Sequence, residues 1–208
     1  MQSKLAGAPE STTGVGPDGV RDPFFHHVNL KTGRLRELVE FYGVTVGMRP
    51  NFLSDSFAFL TNDAANHRIA IVGSASFRED PDPYTLAGMH HTGFEFASLE
   101  DLLGRYVSLK EAGITPVGCV DHGLTLSFYY ADPDGNQLEL QVDNYSDWAA
   151  SAEWMRGSAD FAADPIGSFV DPDLIVAAAA EGLSAAEIHE RAYAGEYEPA
   201  ERPRVPGS

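Results

Sequence analysis

The sequence predicts an α+β fold built from two βαβββ repeats and followed by a C-terminal helical tail. Three observations predict it: a β-hairpin close to residue 130, two amphipathic helices that each follow a strand-like run, and one constant offset between the two halves of the chain. The hairpin joins two strand-like runs, 124–130 and 137–142. Pro and Gly between them favour a tight turn, which here is Asp132-Pro133-Asp134-Gly135-Asn136.

The second strand of this hairpin carries a carboxylate on its polar face. Because side chains alternate along a strand, Leu138 and Leu140 share one face and Glu139 lies on the other. An unpaired carboxylate is costly if that face is enclosed. We therefore expect a cationic group to meet Glu139.

The composition describes a packed protein with a strongly acidic balance. The 208 residues are 43% hydrophobic, enough for one substantial domain or two small fused modules. A formal net charge of −17 argues against nucleic acid and anionic membranes as partners. The single cysteine, Cys119, excludes an intrachain disulfide and is expected to be an ordinary strand residue. No apolar run approaches about 18 residues and no signal pattern opens the chain, so a cytoplasmic protein is expected.

The first module is predicted over residues 23–75, after a flexible arm rich in Gly, Pro and Ser at 1–22. It opens with a strand at 24–32 and continues with an amphipathic helix. The apolar residues of that helix recur at i, i+3, i+4 and i+7: Leu35, Leu38, Val39 and Tyr42. Three short strands are predicted at 51–53, 56–61 and 68–72.

The second module, residues 88–143, has the same plan. A strand at 89–97 leads to Ser98, a predicted helix N-cap, and the helix repeats the apolar spacing of the first. Strands are predicted at 115–120, 124–130 and 137–142. Matched positions are 64 residues apart (91 − 27): His27 with His91, Leu35 with Leu99, Leu38 with Leu102, Val39 with Leu103 and Tyr42 with Tyr106. This constant offset predicts an internal repeat whose two curved mixed sheets pair around a shared cleft.

A helical extension is predicted over residues 144–195, followed by a flexible tail at 196–208. A short amphipathic helix is expected at 147–156. Two further helix starts are indicated by capping patterns, Asp171-Pro172 and Ser184-Ala185-Ala186-Glu187. The sequence leaves open whether this extension packs on the sheets or on a neighbouring subunit.

Two histidines occupy the same place in the two modules. If the sheets face each other, His27 and His91 converge, and Glu139 projects from the last strand of the second module. Two His and one carboxylate form a facial triad with open positions, the usual arrangement for non-haem Fe(II). The neighbouring His26 and His90 are predicted to point to the opposite strand face and to take no ligand role. The predicted site is therefore a metal cleft.

Four stretches carry a family resemblance: FHHVNL, FYG, GMHHTGFEF and FYYADPDGNQLEL. With them, residues 24–143 resemble the vicinal-oxygen-chelate superfamily, which includes glyoxalases, bleomycin and other antibiotic resistance proteins, and type I extradiol dioxygenases. The tail from residue 147 onward lies outside this shared core. The resemblance implies His27, His91 and Glu139 as metal ligands, with Fe(II) as the metal and Mn(II) as its alternative.

Outer positions resemble those of extradiol dioxygenases in particular. NHRIAIV, residues 66–72, is similar to a strand whose histidine is an acid–base residue over the dioxygen site, which implies that role for His67. DHG…FYY is similar to their loop histidine and the tyrosine that follows it, which implies His122 and Tyr129. Seven residues (129 − 122) separate these two, fewer than in two-domain catechol enzymes, and Tyr130 remains a rival to Tyr129.

The resemblance thus implies an Fe(II)-dependent extradiol ring-cleaving dioxygenase. Its substrates would be O2 and catechol or a substituted catechol such as 2,3-dihydroxybiphenyl. Tyr129 and His122 would hydrogen-bond the substrate oxygens, and His67 would support dioxygen and donate a proton. A homodimer or larger homo-oligomer is expected, with no nucleic acid or membrane partner.

Three other functions remain open from the sequence. A metal-dependent glyoxalase-type isomerase normally takes a fourth protein ligand from the first module, and residues 69–71 offer no carboxylate. A thiol-transferring resistance enzyme uses the same triad, usually with Mn(II), but does not need His67, His122 and Tyr129 together. A non-catalytic module that binds an aromatic ligand would retain binding after loss of the metal ligands.

Overall fold

The computed structural model describes residues 14, 17–78, 85 and 87–204. The chain divides into two compact units, Met1–Glu79 and Asp80–Ser208. Most of the predicted arm at 1–22 lies outside the described residues. Within those residues, no helix has the length and apolar character needed to cross a membrane.

The first unit is a four-stranded mixed sheet with one helix. Its elements are β1 (Val28–Thr32), α1 (Leu35–Val46), β2 (Arg49–Leu53), β3 (Phe57–Thr61) and β4 (Ile69–Gly73). The strand order is β1-β4-β3-β2, with β1 and β4 parallel and the other neighbours antiparallel. Leu38 and Tyr42 of α1 are fully buried, and the helix ends at Gly47, whose φ of 68° suits glycine.

The second unit repeats this plan and extends it by one strand. Its first elements are β5 (His91–Phe96), α2 (Leu99–Glu111), β6 (Gly118–Asp121), β7 (Thr125–Ala131) and β8 (Gln137–Asp143). The sheet order is β5-β8-β7-β6-β9, where β9 (Ser168–Phe169) comes from the extension. Leu102 and Tyr106 of α2 are buried, as are their counterparts in α1. The predicted α+β fold of two βαβββ modules with mixed sheets is therefore confirmed.

The first strand of each unit begins later than predicted. β1 begins at Val28, because its partner β4 begins at Ile69, directly opposite. The preceding Phe24 and Phe25 are exposed. β5 begins at His91. His26 and His27 precede β1, and His90 precedes β5. The alternation of side chains along a strand therefore does not set their directions, which differ from those predicted.

The β7–β8 hairpin has the predicted position and turn. The Asp132 carboxylate accepts a 2.9 Å hydrogen bond from the backbone N–H of Asn136. Gly135 supplies the positive φ of 84° that the turn requires. The resulting register pairs Tyr129 with Glu139 across the two strands.

The extension contains α3 (Trp148–Gly157), α4 (Ala159–Ala163), β9, α5 (Pro172–Ala180) and α6 (Ala185–Tyr193). The predicted cap at Asp171 and the capping box of Ser184 and Glu187 are both present. The sequence does not predict α4 and β9, because such short elements carry too little periodicity. β9 pairs antiparallel with β6, so the extension packs on the sheet of the second unit.

Residues 196–204, the described part of the predicted flexible tail, also contact the second unit. The Tyr197 carbonyl accepts a 2.7 Å hydrogen bond from the Asp171 N–H, and the Tyr197 side chain is buried. The Pro203 ring lies against Gly118 of β6. This part of the chain differs from the expected tail because its backbone and side chains have packing partners.

Candidate active site

Glu139 is the centre of a hydrogen-bonded cluster in the second unit. Its side chain is buried. The Nε2 atom of His91 lies 3.1 Å from Oε2, and the Tyr129 hydroxyl donates a 2.8 Å hydrogen bond to Oε1. β8 lies between β5 and β7, so each neighbouring strand contributes one partner. His91 is the group that meets the carboxylate where the sequence predicts a cation.

A glycine on β5 leaves room for the carboxylate. Gly93 is paired directly with Glu139 in the parallel β5–β8 ladder. A Cβ atom at Gly93 would lie 3.0 Å from Glu139 Oε2, closer than nine in ten real Cβ contacts. Glycine inside a strand often marks such a close approach, and this signal was available in the sequence.

Opposing effects set the pKa of Glu139. Burial alone would raise it, but hydrogen bonds from His91, Ser127 and Tyr129 outweigh burial and lower the pKa below its usual value. The carboxylate is therefore charged at neutral pH, as a metal ligand must be. Ser127 shares a face of β7 with Tyr129, and no sequence pattern marked it as a site residue.

The predicted pair His122 and Tyr129 joins this cluster. His122 Nε2 lies 2.9 Å from the Tyr129 hydroxyl, and its Nδ1 lies 2.6 Å from the backbone carbonyl oxygen of Ile166. The rival Tyr130 is fully buried on the other face of β7, and its hydroxyl has no hydrogen-bond partner among the described residues. Burial and the charge of Glu139 raise the pKa of Tyr129, which keeps the phenol protonated.

His90 does not point away from His91, contrary to the prediction. The Nδ1 atoms of the two rings lie 2.6 Å apart. Because His90 precedes β5, alternation along that strand does not reach it. The contact leaves Nε2 of His91 as the nitrogen that faces Glu139. Burial and the neighbouring His91 lower the pKa of His90, which favours its neutral form.

A second histidine cluster lies in the first unit. His26, His27 and His67 each offer a ring nitrogen, and these three atoms lie within 4.8 Å of one another. The Nδ1 atoms of His26 and His27 are 3.1 Å apart, and those of the equivalent pair in the second unit, His90 and His91, are 2.6 Å apart. Burial lowers the pKa of His67, and so do His27 and His26. The predicted residues His27 and His67 are therefore neighbours, and His26, which was predicted to point away, joins them.

Each cluster contains donor atoms of the types that bind a divalent metal ion. Imidazole nitrogen and carboxylate oxygen are the ligand types of non-haem Fe(II) sites. Adjacent ligands held about 2.1 Å from one octahedral ion are separated by roughly 3 Å. The 3.1 Å between His91 Nε2 and Glu139 Oε2 matches that separation. The cluster of the first unit consists of three imidazoles, those of His26, His27 and His67.

The two modules share one βαβββ plan with equivalent histidines, and the second module contains a buried glutamate. These features are typical of a class of metal-binding proteins. Residues 24–140 match the family model of the Glyoxalase/Bleomycin resistance protein/Dioxygenase superfamily. The chain belongs to this superfamily, and the resemblance predicted from the four sequence stretches is confirmed.

Two curated relatives come from Rhodococcus globerulus. Biphenyl-2,3-diol 1,2-dioxygenase 2 is 38% identical over 177 residues, which cover 85% of this chain and 92% of the relative. Biphenyl-2,3-diol 1,2-dioxygenase 3 is 34% identical over 172 residues, which cover 83% of this chain and 90% of the relative. These relatives confirm the predicted enzyme class, a dioxygenase. Among solved structures, lactoylglutathione lyase from Agrobacterium tumefaciens has a TM-score of 0.47 and 16% identity, covering 58% of this chain and 94% of that chain.

Proposed function

We propose that this protein is an Fe(II)-dependent extradiol dioxygenase that opens the ring of a catechol with O2. The observation that carries the proposal is the contact of His91 with the buried Glu139. The Tyr129 hydroxyl is hydrogen-bonded to Glu139, and His122 is hydrogen-bonded to Tyr129. The names of the two relatives support it, since a 2,3-diol opened at carbons 1 and 2 is cleaved beside the diol. Biphenyl-2,3-diol is therefore the first substrate to test.

The proposed metal ligands are His27, His91 and Glu139. Imidazole nitrogens and a carboxylate are donors that fit Fe(II), and Mn(II) would suit the same donors. The bound metal would supply the redox chemistry for the reaction of O2 with the diol and would orient both. The lowered pKa of Glu139 supports this assignment, and so does the direction of His91 Nε2 toward Glu139.

Tyr129 and His122 are the proposed proton-transfer pair. The Tyr129 hydroxyl has one hydrogen and two acceptors within reach, Glu139 Oε1 and His122 Nε2. When the hydrogen goes to Glu139, Nε2 must carry a proton of its own to complete its contact. When the hydrogen goes to His122, Nε2 is unprotonated. The proton of a binding diol can therefore pass to the Tyr129 oxygen while the Tyr129 hydrogen passes to Nε2, which is general base catalysis.

His67 is the proposed acid–base residue on the oxygen side of the reaction. Burial, His27 and His26 lower its pKa, so that its neutral form is favoured. A neutral imidazole offers one N–H donor and one acceptor nitrogen. The Phe59 ring packs edge-on against His67, with 5.2 Å between ring centroids.

The test is anaerobic reconstitution with Fe(II), followed by 2,3-dihydroxybiphenyl or catechol in aerated buffer. We expect a yellow ring-opened product that grows in step with oxygen consumption. Glu139→Gln should lose both iron and turnover, because an amide is a neutral and weaker ligand. Glu100→Gln is the matched control, since Glu100 lies exposed in the first turn of α2 and should leave both unchanged. Absence of colour and of oxygen uptake with iron-loaded protein would refute the proposal.

The remaining alternatives have different signatures in the same experiment. A thiol-transferring enzyme would consume a thiol and leave oxygen untouched. A non-catalytic binding module would bind 2,3-dihydroxybiphenyl equally well as wild type and as Glu139→Gln, measured by calorimetry without O2. The proposed enzyme should lose most of that affinity in Glu139→Gln, because the diol binds at the metal.

A further inference from the structure

The C-terminal extension contacts the loop Asp121-His122-Gly123, which joins β6 and β7. The family match ends at residue 140, so the extension lies beyond it. We propose that the extension is part of the active site, because it fixes the His122 ring with Nε2 facing Tyr129. Its contribution to turnover rests on the proposed function, whereas the fixing of the ring does not.

The first observation is the hydrogen bond at Nδ1 of His122. This nitrogen lies 2.6 Å from the Ile166 carbonyl oxygen. A carbonyl oxygen only accepts, so Nδ1 carries the hydrogen. When the Tyr129 hydrogen is donated to Glu139, Nε2 carries a second proton. When that hydrogen turns to His122, the ring is neutral and its lone pair is on Nε2, the nitrogen that lies 2.9 Å from the Tyr129 hydroxyl. The extension thus selects the tautomer that can take a proton from Tyr129.

The second observation is the close approach of Gly167 to the loop. Ser168 of β9 pairs with Asp121 of β6, which brings the preceding backbone over the loop. A Cβ atom at Gly167 would lie 2.2 Å from the Asp121 carbonyl oxygen and 3.1 Å from His122 Cα. The φ of +81° also disfavours other residues. Glycine at this position lets the Ile166 carbonyl come within hydrogen-bonding distance of the ring.

The third observation is a polar contact behind the loop. Nδ1 of His189, on α6, lies 2.8 Å from Oδ2 of Asp121, whose side chain is fully buried. The other carboxylate oxygen of Asp121 accepts a 2.8 Å hydrogen bond from the Gly123 N–H. Asp121 therefore links α6 to the backbone on both sides of His122.

Trp154 of α3 covers the remaining residue of the loop. A Cβ atom at Gly123 would lie 2.1 Å from Cη2 of Trp154, so the indole is in contact with the glycine backbone. The indole also packs against Tyr145, Phe161 and Tyr193. Three parts of the extension thus hold three consecutive residues, and the middle one is His122.

These contacts make Gly167, His189 and Trp154 positioning residues. Among the described residues, none of the three contacts Glu139, His91 or Tyr129, and each acts through the loop that carries His122. A displacement of a catalytic group by about 1 Å can cost roughly 10²-fold in rate. A loosened loop should therefore reduce turnover while the metal ligands and their affinity stay as they are.

Gly167→Ala tests the positioning directly. Gly195→Ala is the matched control, since Gly195 has a φ of +83° but nothing within 4 Å of an added Cβ. In the 208-residue chain loaded with diamagnetic Zn(II), nitrogen NMR should find the Nδ1–H tautomer of His122 in the wild type and in Gly195→Ala. Gly167→Ala should give a mixture of tautomers. With Fe(II), Gly167→Ala should lose about tenfold or more in kcat and keep its iron affinity.

His189→Leu and His189→Asn test the contact with Asp121. An Asn amide can lie close to where the Nδ1 atom of His189 is, so His189→Asn should retain the kcat and its pH profile. His189→Leu should lower kcat by about tenfold and shift the pH profile, because the loop loses its tie to α6. Thermal melts of both variants report any loss of stability separately.

Two results would overturn the proposal. One is an unchanged His122 tautomer in Gly167→Ala. The other is a loss of kcat in His189→Leu that follows only the fraction of unfolded protein, with an unchanged pH profile. If the wild type opens no diol, the proposed function fails, and the NMR result still decides how the ring is held.

Discussion

Tyr129 lies directly across from Glu139 in the β7–β8 ladder, and its hydroxyl donates a 2.8 Å hydrogen bond to the carboxylate. The adjacent Tyr130 lies across from Leu138 and is fully buried, with a hydroxyl that has no partner among the described residues. The two neighbouring tyrosines therefore differ in whether the hydroxyl is hydrogen-bonded to Glu139. Their Phe variants form a matched pair.

Tyr129→Phe should lower kcat for 2,3-dihydroxybiphenyl by roughly 10²-fold or more, because the path from substrate to His122 loses its hydroxyl. The variant should still take up iron, since Tyr129 is not a proposed ligand, with an affinity lowered by about tenfold because Glu139 loses one hydrogen bond. Tyr130→Phe should leave kcat unchanged and keep or slightly raise the Tm, because it removes a buried hydroxyl that has no partner within the described ranges. Oxygen uptake and iron content measure both effects, and equal losses of kcat in the two variants would contradict the assignment.

Gly93→Ala should weaken iron binding. The new methyl group would lie 3.0 Å from Glu139 Oε2 and displace the carboxylate, so we expect the iron affinity to fall by about tenfold or more. Gly104→Ala is the control, since nothing lies within 4 Å of a Cβ at this position in α2. It should leave the affinity unchanged and stabilise the fold by about 0.5–1 kcal/mol. Competition with a coloured chelator measures the iron affinities. An iron affinity of Gly93→Ala equal to that of the wild type would contradict the prediction.

His90→Ala should lower the metal affinity by about 10–100-fold. The reason is that Nδ1 of His91 would lose its partner at 2.6 Å, and the ring would no longer be held with Nε2 toward Glu139. His90→Asn, which can offer an amide near the lost nitrogen, should recover most of the affinity. Titrations of both variants at one pH decide the point. Equal affinities for His90→Ala and His90→Asn would mean that the contact does not orient the ligand.

Asp173 ties the extension to α2. Its carboxylate accepts hydrogen bonds from Lys110 Nζ at 2.6 Å and from the Tyr106 hydroxyl at 2.8 Å. The bond from Lys110 has the largest effect, and both bonds lower the pKa of Asp173. Burial would raise this pKa, but its effect is smaller. A carboxyl group whose pKa is lowered by folding stabilises the fold above its unfolded pKa. That contribution is lost as the pH falls through the folded pKa.

Asp173→Asn should therefore lower the free energy of unfolding by about 0.2–1 kcal/mol at neutral pH, a small value because the pair is solvent-exposed. The difference from wild type should shrink as the pH falls from about 5 toward about 3. Thermal melts over this range measure it. Asp55→Asn, at a fully exposed carboxylate of the first unit, should show a smaller difference. A difference for Asp173→Asn that does not change with pH would contradict the mechanism.

Local patterns determined much of this protein from the sequence alone. Some elements depend only on the spacing of residues that are close in the sequence, so they can be predicted without tertiary contacts. They are the helices α1 and α2, the hairpin turn, and the capping box of Ser184 and Glu187. The constant offset of His27 and His91 revealed the repeat. Alternation in the last strand assigned Glu139 to the polar face before its partners were known.

The tertiary structure decided what depends on partners distant in the chain. The histidines before β1 and β5 turn toward their neighbours because their strands begin after them. The choice of Tyr129 over Tyr130 follows from the hairpin register, since a slip of one residue would exchange the two faces. The carbonyl of Ile166 reaches His122 from 44 residues away. Every residue carries a carbonyl group, so no sequence pattern marks this one, and only the folding of the extension onto β6 gives it a role.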